Sequence, residues 1–204
     1  MYKRQPALPT HYGEAFQAVR QGHPDSISQL AGLIADMGKP EIVRATAADQ
    51  LSNLGAPAVS ALEPALKDDS AWVRASAASG FVGLAPVDRV KHLLPLMDDP
   101  HLAVRDEAVR ALAGIPLIAL PKDRREDFQA ALKDYEKRLR GNADLPGNRL
   151  NLAVLMERQG RVLEALEQYR EALKLDPYFS PARVNLVTLA NNNLRQDEAI
   201  KALR

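Results

Sequence analysis

Along the first half of this chain, apolar residues recur among polar ones with the spacing of amphipathic α-helices. Within residues 102–112, Arg105, Asp106 and Arg110 lie opposite the apolar positions or at their edge. The apolar positions of this segment are Leu102, Val104, Ala108, Val109, Ala111 and Leu112. Segments of the same kind recur, separated by short polar turns, and the pattern predicts an all-α protein.

One short sequence motif within this pattern occurs three times. Val43-Arg44-Ala45 is echoed by Val73-Arg74-Ala75 and by Val104-Arg105-Asp106, at distances of 30 and 31 residues. Each copy follows a polar turn and an earlier amphipathic segment, so one period contains two helices. Helix pairs that repeat in this way cover their apolar faces with the next pair, and the repeats therefore predict an α-solenoid.

The repeated arginines and the acidic turns near them resemble a HEAT-like array over residues 6–113. In such an array an arginine of one repeat binds an aspartate or a carbonyl of its neighbour, and these contacts form a ladder between repeats. The resemblance implies that the ladder consists of Arg44, Arg74, Arg105, Asp69 and Asp99. Arg44 departs from the pattern, because the turn before it has no acidic pair. Binding of an anionic ligand is the alternative role for these arginines.

Trp72 is the only tryptophan and begins a second helix of this array. We expect it to pack between repeats, and an exposed anchor for a partner is the alternative.

The second half has a different period. Residues 146–177, PGNRLNLAVLMERQGRVLEALEQYREALKLDP, resemble the 34-residue tetratricopeptide (TPR) repeat. The resemblance implies packing roles for Leu152, Ala153, Gly160, Ala165, Tyr169, Ala172 and Pro177, and for Leu186 and Ala199 in a second unit. Ala131 and Tyr135 mark the second helix of an earlier unit, whose first helix is unrecognisable. We therefore expect TPR repeats over residues 121–204, after a junction at 114–120.

The TPR resemblance also implies a concave groove that binds peptides. Asn151 and Asn185 stand at the repeat position that faces this groove and bonds a peptide backbone, and Arg149 and Arg183 lie two residues earlier. A plain scaffold without a ligand in this groove is the alternative.

Little in the composition favours catalysis. The sequence has no cysteine, no nucleotide-binding or serine-hydrolase motif, and no two of its four histidines at metal-ligand spacing. The net charge of +1 argues against a dedicated nucleic-acid surface, and no apolar run is long enough to span a membrane. We predict a protein that is not an enzyme, holds no cofactor or metal in this chain, and binds a protein or peptide.

The order of the two repeat types adds a second resemblance. HEAT-like repeats that run directly into TPRs, with the stretches HYGEAFQAVRQG, IVRATAADQL and FSPARVNLVTLA, resemble the C-terminal region of bacterial multihaem c-type cytochromes. The resemblance implies haem attachment upstream of this chain, a periplasmic location, and His11 as a candidate neighbour of the last haem. The alternatives are a free-standing cytoplasmic adaptor that binds peptides in the TPR groove and, less favoured, a HEAT-like enzyme such as a bilin lyase or a base glycosylase.

The ends of the chain have unusual features. Residues 1–5, MYKRQ, resemble a translated sequencing-library adaptor, and a true basic N-terminus is the alternative. The last residues, DEAIKALR, contain no signal for the end of a helix. We therefore expect the chain to be a fragment that is truncated at both ends.

Overall fold

The computed structural model describes residues 12–193. This part of the chain contains eleven α-helices joined by turns and short 3₁₀ segments, and no β-strand. The helices are α1 (Tyr12–Arg20), α2 (Ser26–Ala35), α3 (Glu41–Ser52), α4 (Val59–Leu62), α5 (Ala71–Ser79), α6 (Pro86–Leu93), α7 (Leu102–Leu112), α8 (Arg125–Gly141), α9 (Pro146–Arg158), α10 (Val162–Leu175) and α11 (Ser180–Asn193). Within residues 12–193, no helix is long and apolar enough to cross a membrane.

The helices divide into two compact units, Met1–Leu112 and Ala113–Arg204. In the first unit α2 packs against α3, and the second helices of successive pairs, α3, α5 and α7, pack side by side. In the second unit α8 packs against α9, α9 against α10, and α10 against α11. Helix pairs that pack on their neighbours in sequence form an α-solenoid, so the predicted all-α solenoid is confirmed.

Proline determines how the first helices of two pairs end. α4 and α6 each lead into a 3₁₀ segment, Pro64–Lys67 and Leu94–Asp98. Pro64 and Pro95 lack the backbone N–H that an α-helix needs, and the tighter 3₁₀ geometry accommodates the loss. These segments lead directly into the acidic residues that precede α5 and α7.

Small residues fix the distance between helices in the first unit. Ala47, Ala77 and Ala108 stand three places after the repeated arginines, and none of them has any exposed surface. A larger side chain at these positions would push apart helices that are already close-packed. The alanines of the repeated motif are therefore packing residues.

The second unit begins with an irregular stretch. Two 3₁₀ segments, Leu117–Ala119 and Lys122–Arg124, precede α8. Gly114 has a φ of +81°, and a Cβ atom at this position would collide with the carbonyl oxygen of Arg158 at the end of α9. Glycine is therefore required here both by its conformation and by the lack of space.

Candidate interaction surface

The repeated arginines of the first unit lie near the start of the second helices and connect one repeat to the next. Arg44 forms an ion pair with Asp68, and both side chains are only 6% exposed. Arg74 donates to both carboxylate oxygens of Asp99, from Nε at 2.7 Å and from Nη2 at 2.9 Å. The second pair is bidentate, which is the strongest geometry for an arginine–carboxylate contact.

The same aspartates also bind the next arginine through their backbone. Arg74 donates from Nη1 to the carbonyl of Asp68 at 2.7 Å, and Arg105 donates to the carbonyl of Asp99 at 2.7 Å. Each aspartate thus joins two arginines, one at its carboxylate and one at its carbonyl. The carboxylates also accept the backbone N–H two residues later, at 2.8 and 2.9 Å, which fixes their orientation.

The structure corrects the predicted ladder in two respects. The carboxylate bound to Arg44 belongs to Asp68, whereas Asp69 is exposed and contributes its carbonyl oxygen, 3.0 Å from Nη1 of Arg74. The reason is that Asp68, like Asp99, stands six residues before an arginine, where its carboxylate folds back onto the turn. The second correction concerns Arg44, which was expected to depart from the ladder because the turn before it has no acidic pair. It departs less than expected, because its acidic partner, Asp68, lies in the following repeat. Its buried Nε, however, finds no partner among the described residues.

The Arg74–Asp99 pair shifts the pKa of both groups. Burial by itself raises the pKa of the Asp99 carboxyl, but hydrogen bonds from Arg74 and from the backbone N–H of His101 outweigh it. The pKa of Asp99 consequently lies below its ordinary value of 3.8. The hydrogen bond to Asp99 raises the pKa of the Arg74 guanidinium. The pair is therefore ionised at neutral pH.

A groove of about 400 Å³ lies on the exposed faces of α3 and α5. We call it the Trp72 groove. Its lining residues are Ile42, Ala45, Thr46, Asp49, Ala71, Trp72, Ala75, Ser76 and Ala103. Apart from Ile42 and Trp72, these side chains are small or polar, so the groove has a shallow floor and two large apolar side chains.

Trp72 does not pack between repeats, so the expected packing role is wrong. Its side chain is 61% exposed, because the buried residue at this end of α5 is Val73, on another face of the helix. Ile42, at the equivalent position of α3, is 53% exposed. Large apolar side chains that are exposed together in one groove are typical of interaction sites.

Asp49 is the only charged residue in the lining of the Trp72 groove. It is exposed on α3, and its carboxylate makes no hydrogen bond or ion pair within residues 12–193. By contrast, Asp68, Asp99 and Glu107 are paired with arginines. The groove thus combines an apolar surface with an unpaired negative charge.

The arginines predicted for the TPR groove are held by the protein itself. Arg149 in α9 donates to the carbonyl of Ala143 at 2.7 Å and to the side chain of Gln168 at 2.7 Å. Arg183 in α11 donates to the carbonyl of Pro177. Both guanidinium groups bind a carbonyl six residues earlier, in the turn before their own helix. Their first role is therefore to fix these turns.

The two asparagines of the predicted TPR groove have different surroundings. Asn151 is exposed on α9, whereas Asn185 is partly buried on α11. Tyr169 is fully buried and donates to Glu157 at 2.7 Å. Burial, and then the hydrogen bond to Glu157, raise the pKa of the Tyr169 phenol. Peptide binding by Asn151 and Asn185 stays a prediction.

Most of the predicted packing positions of the second unit lie in its interior. The buried ones are Leu152, Ala153, Ala165, Tyr169, Ala172 and Leu186. Gly160, in the turn between α9 and α10, has a φ of +74°, and Pro177 is exposed in the turn before α11. Ala199 and His11 lie outside the described residues. In the described part of the chain, no group of three or more His, Asp or Glu side chains could hold a metal ion.

Of the residues that line the Trp72 groove, only Trp72 is considered from the sequence alone as an anchor for a partner, and Ile42 and Asp49 are missed. A signal for them exists in the sequence, since Ile42 and Trp72 both stand two residues before a repeated arginine. In α3 the exposed residues Ile42, Thr46 and Asp49 recur at helical spacing on one face, whereas Ala45, which also lines the groove, is buried.

Comparison with known proteins bears on the first unit. A family model described as HEAT repeats matches residues 10–81, about a third of the chain. The matched region includes α1 to α5, the arginines Arg44 and Arg74, and every lining residue of the Trp72 groove except Ala103. A search of curated proteins finds no match to the chain. The similarity therefore supports HEAT-like repeats in the part of the first unit that contains the groove.

Proposed function

We propose that the protein is a non-enzymatic scaffold for protein–protein contact, and that the Trp72 groove binds a segment of a partner polypeptide. The observation that carries this proposal is the joint exposure of Trp72 and Ile42 in one groove. Exposed aromatic side chains in such grooves are frequent anchors of protein interfaces. HEAT repeats, to which this region is similar, are typically scaffolds rather than enzymes.

The arginine ladder supports this function because it fixes the helices that form the groove. Arg44 connects α3 to the turn before α5, and Arg74 connects α5 to the turn before α7. The helices that line the groove are thus held in place before a ligand binds. Such preorganisation lowers the entropic cost of binding.

Selection of random peptides by phage display on the full chain tests the proposal. We expect peptides that bind the unmodified protein and lose about thirtyfold or more in affinity for Trp72→Ala, because truncation of an aromatic anchor costs about 2 kcal/mol or more. Val87→Ala is the matched control, since Val87 is 73% exposed on α6 and does not line the groove. A selection without binders, or binders that recognise Trp72→Ala equally well, would contradict the proposal.

For the second unit, we propose TPR repeats over residues 121–204, beside a HEAT-like array at 6–113 and a junction at 114–120. The burial of Ala153 and Ala165 and the positive φ of Gly160 support close helix contact and a tight turn within one helix pair. Peptide binding at Asn151 and Asn185 belongs to this proposal. Asn151→Ala should weaken any peptide that binds here and leave peptides of the Trp72 groove unaffected.

We also propose that the scaffold is the accessory region of a multihaem c-type cytochrome that is exported to the periplasm. The support is the sequence resemblance, namely the order of the repeats and the stretches at 11–22, 42–51 and 179–190. Long-read sequencing of the locus tests it. Codons for Cys-x-x-Cys-His upstream of Pro6, behind an export signal, are expected. An in-frame stop codon shortly before a native start would instead favour the cytoplasmic adaptor.

A further inference from the structure

We infer that the occupant of the Trp72 groove is an extended peptide segment with a bulky apolar side chain and, about three residues away, a lysine or arginine. This inference rests on the proposed function and adds the chemistry of the ligand to it. It follows from the distance between Ile42 and Asp49 along α3, from the volume of the groove and from its charge.

The apolar and the charged parts of the groove are separated along α3. Asp49 follows Ile42 by seven residues in the same helix, which at 1.5 Å per residue corresponds to about 10 Å. An extended peptide advances about 3.3 Å per residue. A peptide laid along α3 therefore reaches Asp49 about three residues after the side chain that contacts Ile42 and Trp72.

The size of the groove favours an extended occupant. Its volume of about 400 Å³ lies near the lower end of the range for ligand sites. A helix with side chains is about 10–12 Å across and needs a wider channel. The small side chains of Ala45, Ala75 and Ser76 leave room for a peptide backbone to approach α3 and α5 closely.

The charge of the groove favours a cation. Asp49 has no partner within residues 12–193, and no lysine or arginine lines the groove. A basic side chain would give this carboxylate a partner, whereas an acidic ligand would meet an uncompensated like charge.

The part of the chain that contains the groove has a net charge of the same sign. Residues 6–113 contain 9 lysines and arginines and 13 aspartates and glutamates, a net charge of −4. An acidic surface raises the local concentration of basic peptides and speeds their association. The field of the array and the charge in the groove thus favour the same class of ligand.

Display of random peptides on two targets tests the inference. On the unmodified protein, peptides that depend on Trp72 should be enriched in Lys or Arg about three residues from a bulky apolar residue. On Asp49→Lys, the same position should instead select Asp or Glu. Such an exchange of charge at one peptide position identifies Asp49 as the contact, because a nonspecific preference would have no fixed position.

Affinity measurements on one selected basic peptide make the test quantitative. Asp49→Asn should weaken it about two- to fivefold at low salt, the range of an exposed ion pair. The difference should shrink as salt screens the pair. Asp88→Asn is the matched control, because Asp88 is exposed on α6 outside the groove and carries the same charge. Equal weakening by both variants would overturn the inference.

The outcomes separate this inference from the scaffold function. Trp72-dependent peptides without a basic residue, or without charge exchange on Asp49→Lys, overturn the inference and leave the scaffold function standing. A selection that yields no Trp72-dependent peptide overturns both.

Discussion

The two units use the same local contact for different purposes. In each, an arginine near the start of a helix donates to the carbonyl six residues earlier, as do Arg74 and Arg105 in the first unit and Arg149 and Arg183 in the second. Arg74 also reaches a carboxylate of the next repeat, whereas Arg149 reaches the side-chain amide of Gln168. The arginine of this contact therefore connects successive repeats in the first unit, whereas in the second it fixes the turn before its own helix and, for Arg149, connects α9 to α10.

This difference changes what each unit needs for stability. Removing one partner of a buried ion pair leaves an uncompensated charge, whereas removing a hydrogen bond to an amide leaves a neutral group. The first unit thus depends on its polar contacts between repeats. The ion pair between helices of the second unit, Arg161–Glu136, is more exposed, so this unit depends more on the fit of its apolar interior around the fully buried Tyr169.

Substitution of Arg74 gives the largest expected effect. Arg74→Ala leaves the carboxylate of Asp99, which is only 7% exposed, without a cationic partner, and should cost about 3–5 kcal/mol. Arg149→Ala, the control from the second unit, should cost about 1–2 kcal/mol. Urea denaturation, with hydrogen exchange of α5 and α9 as local readouts, measures both. Equal costs for the two variants would refute the distinction between the units.

Glycine substitutions probe the second unit alone. Gly114→Ala should destabilise it by about 3 kcal/mol, because the left-handed backbone is strained and the new Cβ meets the Arg158 carbonyl. Gly160→Ala is the matched control: its φ of +74° is similar, but a Cβ there has no neighbour within 4 Å. Only the backbone strain remains, about 1 kcal/mol. Thermal denaturation of both variants measures the difference, and similar melting temperatures would show that Gly114 has room for a side chain.

Much of the fold follows from local rules in the sequence. Three kinds of residue each determine the local structure around them. They are the repeated arginines, the alanines three places later and the prolines before the acidic turns. The sequence alone therefore predicts a repeat that consists of two helices. The choice of Asp68 over Asp69 was not predicted, because the importance of the six-residue spacing to the next arginine becomes clear only when the structure shows which carboxylate folds back onto the turn.

The candidate site was less predictable than the fold. Trp72 and Val73 are both large and apolar. Which of the two is buried depends on how α5 is rotated about its own axis relative to the neighbouring helices. Asp49 can be recognised as a candidate site residue only from the structure, because the groove that it lines also contains Trp72 of another helix. Arg149 and Arg183 each donate to a carbonyl of the preceding turn, a contact that the family position did not indicate, and their contact with a peptide stays a prediction.

Overpacking tests whether the units unfold separately. Ala165 in α10 has no exposed surface, so Ala165→Leu should cost about 2 kcal/mol. Loss of hydrogen-exchange protection should be confined to α9, α10 and α11, while α3 and α5 keep theirs, because solenoids lose structure locally. Ala130→Leu, at an exposed position of α8, is the control and should change little. Simultaneous loss of protection in α3 and α10 would show that the two units form one cooperative unit.

Acidification gives the smallest expected effect and compares one carboxyl from each unit. Burial raises the pKa of Glu136 in α8, but hydrogen bonds from Arg161 and Arg140 outweigh it, so the pKa lies below its ordinary value of 4.5. Asp99 is likewise lowered, from 3.8. A carboxyl with a lowered pKa stabilises the fold fully above its ordinary value, and this contribution disappears as the pH falls through the pKa in the folded protein.

The contribution of Glu136 should therefore begin to weaken below about pH 4.5 and that of Asp99 below about pH 3.8. Asp99→Asn should flatten the pH dependence of the first unit, followed by the fluorescence of Trp72, the only tryptophan of the chain. Glu136→Gln should leave that signal unchanged and flatten the pH dependence of helix content measured by circular dichroism. Since Asp99 is the more deeply buried of the two, its variant should show the larger loss of stability at neutral pH. A Trp72 signal that responds to Glu136→Gln as strongly as to Asp99→Asn would mean that the two carboxyls do not act in separate units.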